Sequence, residues 1–281
     1  MLRIAVPNKG ALAAAASEML REAGYAQRSD SKQLTLADPE NDVEFFYLRP
    51  RDIALYVGEG TLDLGITGRD LLMDSGAKAE EVLELGFGRS RFRFAARPGT
   101  VSRVADLRGK RIATSYAGVV RRFLEEHGID ATVTRLDGAV ETSVQLDVAD
   151  VIADVVETGS TLRQAGLEVF GETILESEAV LVMRAGGEPP TGLEVFQRRL
   201  RGVLVARAYV MMDYDMPAGR VEEAVALTPG IESPTVSPLH REGWVAVRSM
   251  VRRETAQRVM DELYEIGARG ILVTDIHACR L

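Results

Sequence analysis

Short apolar segments alternate with helical segments along the first ninety residues of the chain. Residues 2–6, 43–48 and 62–67 are mostly apolar and rich in β-branched or aromatic side chains, which is typical of buried strands. Residues 11–23 are rich in alanine and end at Gly24, as expected for a helix. Strands that alternate with helices predict a parallel, doubly wound α/β sheet.

The same alternation begins again after residue 90. Residues 91–96, 131–136 and 150–156 are predicted strands, and residues 119–126 are a predicted helix. We interpret this region as a second α/β unit with its own sheet. Two α/β lobes that share a cleft are the architecture of type II periplasmic binding proteins. In that fold the chain crosses between the lobes twice, so we expect residues 182–206 to return to the first lobe.

The pattern changes after residue 207, where two helical segments are interleaved with four strand-like segments. Strands are predicted at 208–214, 235–239, 244–250 and 270–276, and helices at 217–227 and 254–266. The order βαββαβ within about 70 residues is that of a ferredoxin-like unit. Amino-acid-binding modules of this kind often end biosynthetic enzymes, and a plain dimerisation domain is the alternative. We therefore expect a first lobe at 1–89 with 182–206, a second lobe at 90–181, and a regulatory domain at 207–281.

Composition narrows the class of protein. The 281-residue chain has 46% hydrophobic and 27% charged residues, as ordinary globular proteins do, and a formal net charge of −8. A negative charge argues against a nucleic-acid binder, which usually carries a basic face. The single cysteine, Cys279, excludes an internal disulfide and fits a reducing compartment. Without a secretion-signal pattern or a long apolar stretch, we expect a cytoplasmic protein that does not bind membranes.

The stretch 150–162 is a candidate anion site. Asp154 stands within an apolar, β-branched run, which ends in the turn 158–161 and continues as a helix from Leu162. A small-residue turn at a helix N-terminus offers backbone N–H groups and hydroxyls to an anion, most often a phosphate. The alternative is an ordinary strand–turn–helix connection with a threonine as the N-cap.

Charged side chains follow the predicted strands of the first lobe. Lys9, Arg49, Arg51, Arg69 and Asp70 all lie at strand-to-helix turns. Open α/β sheets bind ligands at this edge, beyond the carboxyl ends of the strands. Lys9 taken alone fits a solvated loop lysine equally well, and Asp70 fits a helix cap. Together these groups predict a cleft for a polyanion.

Several motifs, in this order along the chain, resemble the long, hexameric form of the ATP phosphoribosyltransferase family. They are VPNKG at 6–10, FYLRP at 46–50 with Asp52, DLGITGRD at 63–70, LDGAVE at 136–141, ADVIADVVETGSTL at 149–162, YD at 214–215 and PGIESPT at 229–235. The resemblance covers the whole length. It implies the first reaction of histidine biosynthesis, in which ATP and phosphoribosyl pyrophosphate give phosphoribosyl-ATP and pyrophosphate.

The resemblance also assigns roles to residues. Asp154 and Glu141 are expected to hold the ribose hydroxyls and to favour the positive charge that develops at C1. The 5′-phosphate is expected at Glu157, Thr158, Gly159, Ser160 and Thr161, and Asp137 is a further substrate-binding candidate. Lys9, a catalytic candidate, and the substrate-binding candidates Arg49 and Asp70 are expected to face ATP or the leaving pyrophosphate.

Mg²⁺ is the expected cofactor. It prefers pyrophosphate oxygens and water, with few protein ligands, so we assign no metal-binding residue. We assign no general base either, because the attacking N1 of adenine carries no proton and positioning alone is sufficient.

For the third domain the resemblance implies feedback inhibition by histidine and assembly into dimers and hexamers. Asp215 is the candidate for the amino group of histidine. Ser233, Thr235 and the region of Gly270 are candidates for its carboxylate and imidazole, with Ile231 packing nearby.

Two other functions fit the same fold. A solute-binding or effector-sensing protein has no need of Asp154 and Glu141 beside a phosphate turn. A catalytically inactive regulatory subunit is disfavoured because all the expected site residues are present: Lys9, Arg49, Asp70, Glu141, Asp154 and Gly159.

Overall fold

The computed structural model describes residues 1–156 and 159–280. The chain forms two compact units, each with its own core. The first comprises Met1–Arg21 and Tyr25–Leu193, and the second comprises Glu22–Gly24 and the residues from Glu194 onward. Within the described residues, no helix is both long enough and apolar enough to cross a membrane.

The first unit begins with an α/β region. Its elements are β1 (Leu2–Pro7), α1 (Ala11–Glu22), β2 (Thr35–Asp38), β3 (Val43–Leu48), α2 (Pro50–Gly58), β4 (Leu64–Gly68), α3 (Arg69–Ser75) and β5 (Ala79–Glu84). The chain then builds a second α/β region. Its elements are β6 (Ser90–Ala96), β7 (Arg111–Thr114), α4 (Ala117–Glu126), β8 (Thr132–Arg135), α5 (Thr142–Gln145), β9 (Val151–Val156), α6 (Ser160–Gln164) and β10 (Glu168–Ser177).

One further strand, β11 (Ala179–Arg184), completes the first sheet. That sheet has the order β2-β3-β1-β4-β11-β5, and the second has the order β10-β6-β9-β7-β8. In both sheets the central strands are parallel, and one antiparallel strand arrives from the other sheet: β11 in the first and β6 in the second. The chain therefore crosses between two sheets of matching topology twice, as the type II periplasmic-binding-protein architecture requires.

Apolar side chains cover both faces of the second sheet. Phe94 and Val151 pack on one face with Phe123 of α4, whereas Ile152 packs on the other with Leu162 of α6. These neighbours in β9 point to opposite faces because side chains alternate along a strand. Asp154 therefore shares the face of Ile152, where α5 and α6 pack.

The second unit is a small antiparallel sheet with helices. Its elements are α7 (Leu193–Ala208), β12 (Tyr209–Pro217), α8 (Val221–Leu227), β13 (Thr235–Pro238), β14 (Trp244–Arg252), α9 (Ala256–Glu265) and β15 (Arg269–Asp275). The strand order β13-β14-β12-β15, with all neighbours antiparallel, is that of a ferredoxin-like fold. The predicted fold class is confirmed for both units.

Strands β2, β5 and β10 were not predicted from the sequence. All three lie at sheet edges, and β5 and β10 carry several glutamates, which edge strands use to discourage further pairing. We predicted that the chain returns to the first lobe at residues 182–206. In the structure, β11 joins the first sheet and begins at Ala179, whereas α7 groups with the second unit. The domain boundaries stay a prediction.

Candidate active site

Burial and charge both act on Asp154 in β9. Its carboxylate Oδ1 accepts the backbone N–H of Val155 at 2.7 Å. Burial removes water from the charged form and raises the pKa of Asp154, and the negative charge of Glu141 raises it further. The hydrogen bond from Val155 acts in the opposite direction without cancelling this shift. A partly buried carboxyl with a like-charged neighbour is frequent at catalytic sites.

A cavity of about 410 Å³ brings together residues from three places in the sequence. Its walls are formed by Glu141, Asp154, Val155, Val156, Gly159, Ser160, Thr161 and Leu162. Five of these residues were predicted to bind the phosphoribosyl group: Glu141, Asp154, Gly159, Ser160 and Thr161. The structure therefore places the two carboxylates beside the start of α6.

Glu141 immediately precedes α5 and closes the turn that follows β8. The turn contains Ala139 with a φ of 46°, a left-handed conformation that is uncommon outside glycine. Asp137, earlier in the same turn, has a side chain that is 89% exposed and does not line the cavity. Its predicted role in substrate binding stays a prediction.

Gly159 is the N-cap of α6 and has a φ of 68°. Glycine adopts this left-handed conformation without the steric cost that a Cβ atom brings. The N-cap residue is therefore glycine and not threonine, while the phosphate-binding role of the turn stays a prediction. Ser160 and Thr161 follow in the first turn, and both are exposed. The predicted phosphate ligands Glu157 and Thr158 lie outside the described residues.

The predicted residues of the first sheet occupy its carboxyl edge. Lys9 follows β1 and Arg49 precedes α2, and both are exposed. Asp70, in the first turn of α3, is 9% exposed, and its N–H donates to Ser177 Oγ at 3.0 Å. Ser177 ends β10 in the second sheet. Asp70 thus lies where the two sheets meet, while Lys9 and Arg49 remain accessible.

Tyr116 lies beside one acidic residue of each lobe, Asp70 and Asp154. It was not predicted from the sequence as a site residue. Burial raises the pKa of its phenol, and the nearby charges of Asp70 and Asp154 raise it further, against the lowering effect of Arg51. The Arg51 guanidinium carbon lies 5.1 Å from the ring centroid. No local pattern marks this tyrosine, because its neighbours come from distant parts of the sequence.

A second cavity of about 660 Å³ lies where the chain crosses between the sheets. It shares Val156 with the smaller cavity, and its other walls are Arg69, Glu84, Arg89, Ser90, Arg91, Glu176, Ser177 and Glu178. Arg69 is already engaged, since its guanidinium donates to Glu81 at 2.7 Å and to Glu84 at 2.7 Å. The two cavities are therefore neighbours at the end of β9.

The described residues contain no group of three or more His, Cys, Asp or Glu side chains arranged to hold a metal ion. The smaller cavity has two carboxylates, from Asp154 and Glu141, and two hydroxyls, from Ser160 and Thr161. This donor set fits Mg²⁺ held mainly by substrate phosphate oxygens and water, with at most one or two protein carboxylates.

The second unit brings two of the predicted histidine-binding residues together. A Cβ placed on Gly270 would lie 3.5 Å from Asp215 Oδ2, across the β12–β15 pair. Ile231 and Ser233 are exposed in the loop before β13, and Thr235 is the exposed first residue of that strand. Their role as a histidine site stays a prediction.

Comparison with known proteins decides the family. A model of the HisG family, described as ATP phosphoribosyltransferase, matches residues 49–202, and a model of the HisG C-terminal domain matches residues 206–278. The chain belongs to the ATP phosphoribosyltransferase family. The ATP phosphoribosyltransferases of Streptomyces coelicolor and Micrococcus luteus are 66% and 67% identical to it over the full length of both chains.

A solved ATP phosphoribosyltransferase structure supports the same assignment. The protein in the HisG:HisZ complex from Thermotoga maritima superposes with a TM-score of 0.62 at 26% identity, covering 73% of this chain and 98% of that one. The resemblance read from the motifs is confirmed, and the matched C-terminal domain places the chain in the long form of ATP phosphoribosyltransferase. It is a transferase that catalyses the first step of histidine biosynthesis.

Proposed function

We propose that the cavity containing Asp154 and Glu141 binds the phosphoribosyl group of phosphoribosyl pyrophosphate, the substrate that the family name implies. The observation that carries this proposal is the joint presence of both carboxylates and Gly159–Thr161 in one space of about 410 Å³. A ribose phosphate needs acceptors for its hydroxyls at one end and donors for its phosphate at the other.

The phosphate is expected to lie against the start of α6. The backbone N–H groups of Ser160 and Thr161 and their hydroxyls supply donors there, and Gly159 lets the backbone approach closely without a side chain. Glu157 and Thr158 complete the turn in the sequence and belong to the same proposal.

The two carboxylates act on the sugar. Asp154 and Glu141 accept hydrogen bonds from the ribose hydroxyls and hold the ring in one orientation. As the bond between C1 and the pyrophosphate oxygen breaks, positive charge develops at C1, and nearby carboxylates stabilise it. N1 of the adenine of ATP then forms the new bond to C1, and pyrophosphate leaves with the electron pair. No base is required because N1 carries no proton, so positioning is the main task of the protein.

ATP and the leaving pyrophosphate are assigned to the first lobe's edge of the cleft. Lys9 and Arg49 are exposed cations on that edge, and cations there attract polyphosphates. Asp70, which is held near the second sheet by Ser177, lies on the same side of the reaction centre as ATP in this proposal. Asp137 is the peripheral member of the set, because its side chain is largely exposed.

Mg²⁺ is the proposed cofactor. When bound, mainly through pyrophosphate oxygens, it would neutralise charge on the leaving group. The carboxylates of Asp154 and Glu141 are the protein groups in the cavity that are able to contact it.

A spectrophotometric assay tests the proposed site. Purified protein is supplied with ATP, phosphoribosyl pyrophosphate and Mg²⁺, and phosphoribosyl-ATP formation is followed for the wild type and for Asp154→Asn. The proposal requires the wild type to be active and the variant to be impaired. Equal turnover by the folded variant would show that the reaction centre lies elsewhere.

We also propose that the second unit binds histidine as a feedback inhibitor. Asp215 supplies a carboxylate for the amino group, and Gly270 beside it leaves space that a larger residue would fill. Ile231, Ser233 and Thr235 are accessible for the remaining contacts. Assembly into dimers and hexamers, and a cytoplasmic location, complete the proposal. The location rests on the biosynthetic role and on the single cysteine, Cys279.

A further inference from the structure

A buried carboxylate in the first lobe binds the backbone of the second. Asp74, in α3, has a side chain that is 3% exposed. Its Oδ1 accepts the N–H of Gly118 at 2.8 Å, and its Oδ2 accepts a hydrogen bond from Arg51 Nη1, also at 2.8 Å. The same Arg51 nitrogen donates to the carbonyl oxygen of Ser115 at 3.2 Å. Arg51 therefore contacts the turn between β7 and α4, and Asp74 contacts the first turn of α4.

This contact completes the N-terminus of α4. The N–H groups in the first turn of a helix have no partner within the helix, and a side chain at the N-cap position usually satisfies one of them. In α4 the N-cap residue is Tyr116, which makes no side-chain capping bond. Asp74, from the other lobe, accepts the N–H of the second helical residue, Gly118, instead. The cap of α4 is therefore formed only when the two lobes are together.

Close approach of the backbones makes this contact possible. A Cβ on Gly118 would lie 2.5 Å from the carbonyl oxygen of Asp74 and 3.0 Å from its Cα. Backbone atoms do not move aside as the end of a flexible side chain does. Any residue larger than glycine at position 118 would therefore force α3 and α4 apart.

The capped turn also carries groups that surround the reaction centre. Tyr116, next to Asp70 and Asp154, lies between the two residues that contact the ion pair. Ser115 Oγ donates to the carbonyl oxygen of Leu136 at 2.7 Å, at the start of the turn that leads to Glu141. A displacement of the α4 N-terminus would therefore reach both sides of the phosphoribosyl cavity.

We propose that Asp74, supported by Arg51, is a positioning residue that holds the two lobes closed over the phosphoribosyl cavity by capping α4 from the opposite lobe. The effect on substrate binding rests on the proposed function of that cavity, whereas the effect on the lobes does not. Asp74 contacts no substrate in this proposal. It sets the population of the closed form, and a smaller closed population weakens apparent substrate affinity in proportion.

The test measures the lobe separation directly. Cysteines replace the exposed Glu40 in the first lobe and Glu125 in the second, in a Cys279→Ser background, and carry spin labels. Labelled chains are diluted with unlabelled protein, so that electron–electron distance measurements report pairs within one chain. Asp74→Ala and Gly118→Ala should each give a longer or broader distance distribution than the parent in the absence of substrate.

Two further variants calibrate the result. Asp74→Asn keeps the volume and an oxygen acceptor for Gly118 but loses the charge, so it should give an intermediate distribution. Asp106→Asn is the matched control, because Asp106 accepts the Arg103 N–H at 3.1 Å within the second lobe alone and should leave the distribution unchanged.

Kinetics then link closure to the reaction. In Asp74→Ala the KM for phosphoribosyl pyrophosphate should rise about tenfold, as expected for loss of a charged helix cap, while kcat changes by less than about twofold. Unchanged distance distributions in both Asp74→Ala and Gly118→Ala would overturn the proposal. If Asp74→Ala alters the distance distribution but leaves the KM for phosphoribosyl pyrophosphate unchanged, its positioning role would be overturned. The distances are measured without substrate, so they test lobe closure even if the phosphoribosyl cavity is not the active site. An error in the proposed active site would be recognised separately, by full activity of Asp154→Asn.

Discussion

Arg111 holds Asp150 at the entrance to β9 with two side-chain hydrogen bonds, from Nη2 to Oδ1 at 2.8 Å and from Nε to Oδ2 at 3.2 Å. The backbone N–H of Arg111 adds a third, to Oδ2 at 2.9 Å. Arg111 begins β7, the parallel neighbour of β9, so these contacts align the strand that carries Asp154. The hydrogen bonds from Arg111 also lower the pKa of Asp150 to about 2.

This pair gives a pH-dependent contribution to stability. A carboxyl whose pKa is lowered on folding stabilises the protein above its unfolded pKa of about 3.9. The contribution is lost as pH falls through about 2. Because the Asp150 side chain is 35% exposed, solvent screens the pair, and Asp150→Asn should lower the free energy of unfolding at pH 7 by only ~0.5–1 kcal/mol. Urea unfolding at pH 7 and at about pH 2.5, between the folded and unfolded pKa values, measures this, and an equal loss at both values would contradict it.

Asp154→Asn should reduce kcat by at least about tenfold, equivalent to ~1.4 kcal/mol or more of transition-state stabilisation. The amide is neutral and cannot stabilise positive charge at C1. Initial rates at saturating ATP and phosphoribosyl pyrophosphate give the comparison. Asp106→Asn is the matched control, because it makes the same chemical change in the second lobe at a residue that does not line the cavity, and it should retain kcat. Full turnover by Asp154→Asn would assign the residue a structural role.

Gly159→Val should abolish binding of phosphoribosyl pyrophosphate while the fold is retained. Any side chain at a φ of 68° strains the backbone by ~1–2 kcal/mol, so the start of α6 should shift away from the proposed phosphate. Gly166→Val is the control, since Gly166 has a φ of 72° and open space where a Cβ would lie, at the other end of α6. Isothermal titration calorimetry with phosphoribosyl pyrophosphate should show binding by Gly166→Val but not by Gly159→Val. Near-normal affinity in Gly159→Val would refute the phosphate assignment.

Asp215→Asn should make the enzyme insensitive to histidine without lowering its uninhibited rate. The amide loses the charge that we propose pairs with the amino group of histidine. The residue belongs to the second unit, whereas the proposed active site lies in the first. Asp213→Asn provides the comparison, because Asp213 lies two residues earlier in β12 and already pairs with Arg248 at 2.6 Å. The measurement is the histidine concentration for half-inhibition. Retention of normal inhibition in Asp215→Asn would place the effector elsewhere.

Local patterns were enough to predict much of this fold. Strand β3 occupies 43–48 as expected, because its apolar and aromatic residues have few other options. The pairing of Asp154 with the Gly159 turn is also local, since a strand and the helix that follows it lie within a few residues. The motif that contains Glu141 came from the family resemblance. Glu141 joins them because α5, which follows it, packs on the face of the sheet that carries Asp154.

The contacts between the lobes had no such signal. Asp74 lies on α3, where its spacing resembles that of an ordinary exposed acid. Gly118 is the second residue of a helix 44 residues further along the chain. Only the packing of the two lobes makes Asp74 a cap for α4. Edge strands such as β5 were missed for a different reason: their glutamates interrupt the apolar pattern that predicts a strand.

The two crossings between the sheets determine the order in which the chain is able to fold. The edge strand β5 pairs with β11, and β11 is made only after the whole second sheet has been synthesised. A chain that emerges N-terminus first therefore has all the strands of its second sheet before it has the last strand of its first. We expect pulse-labelled hydrogen exchange on ribosome-bound chains that have exposed β10 but not yet β11 to show protection in β7 and β9 before β5. The lobe that begins the sequence would then be the last to become complete.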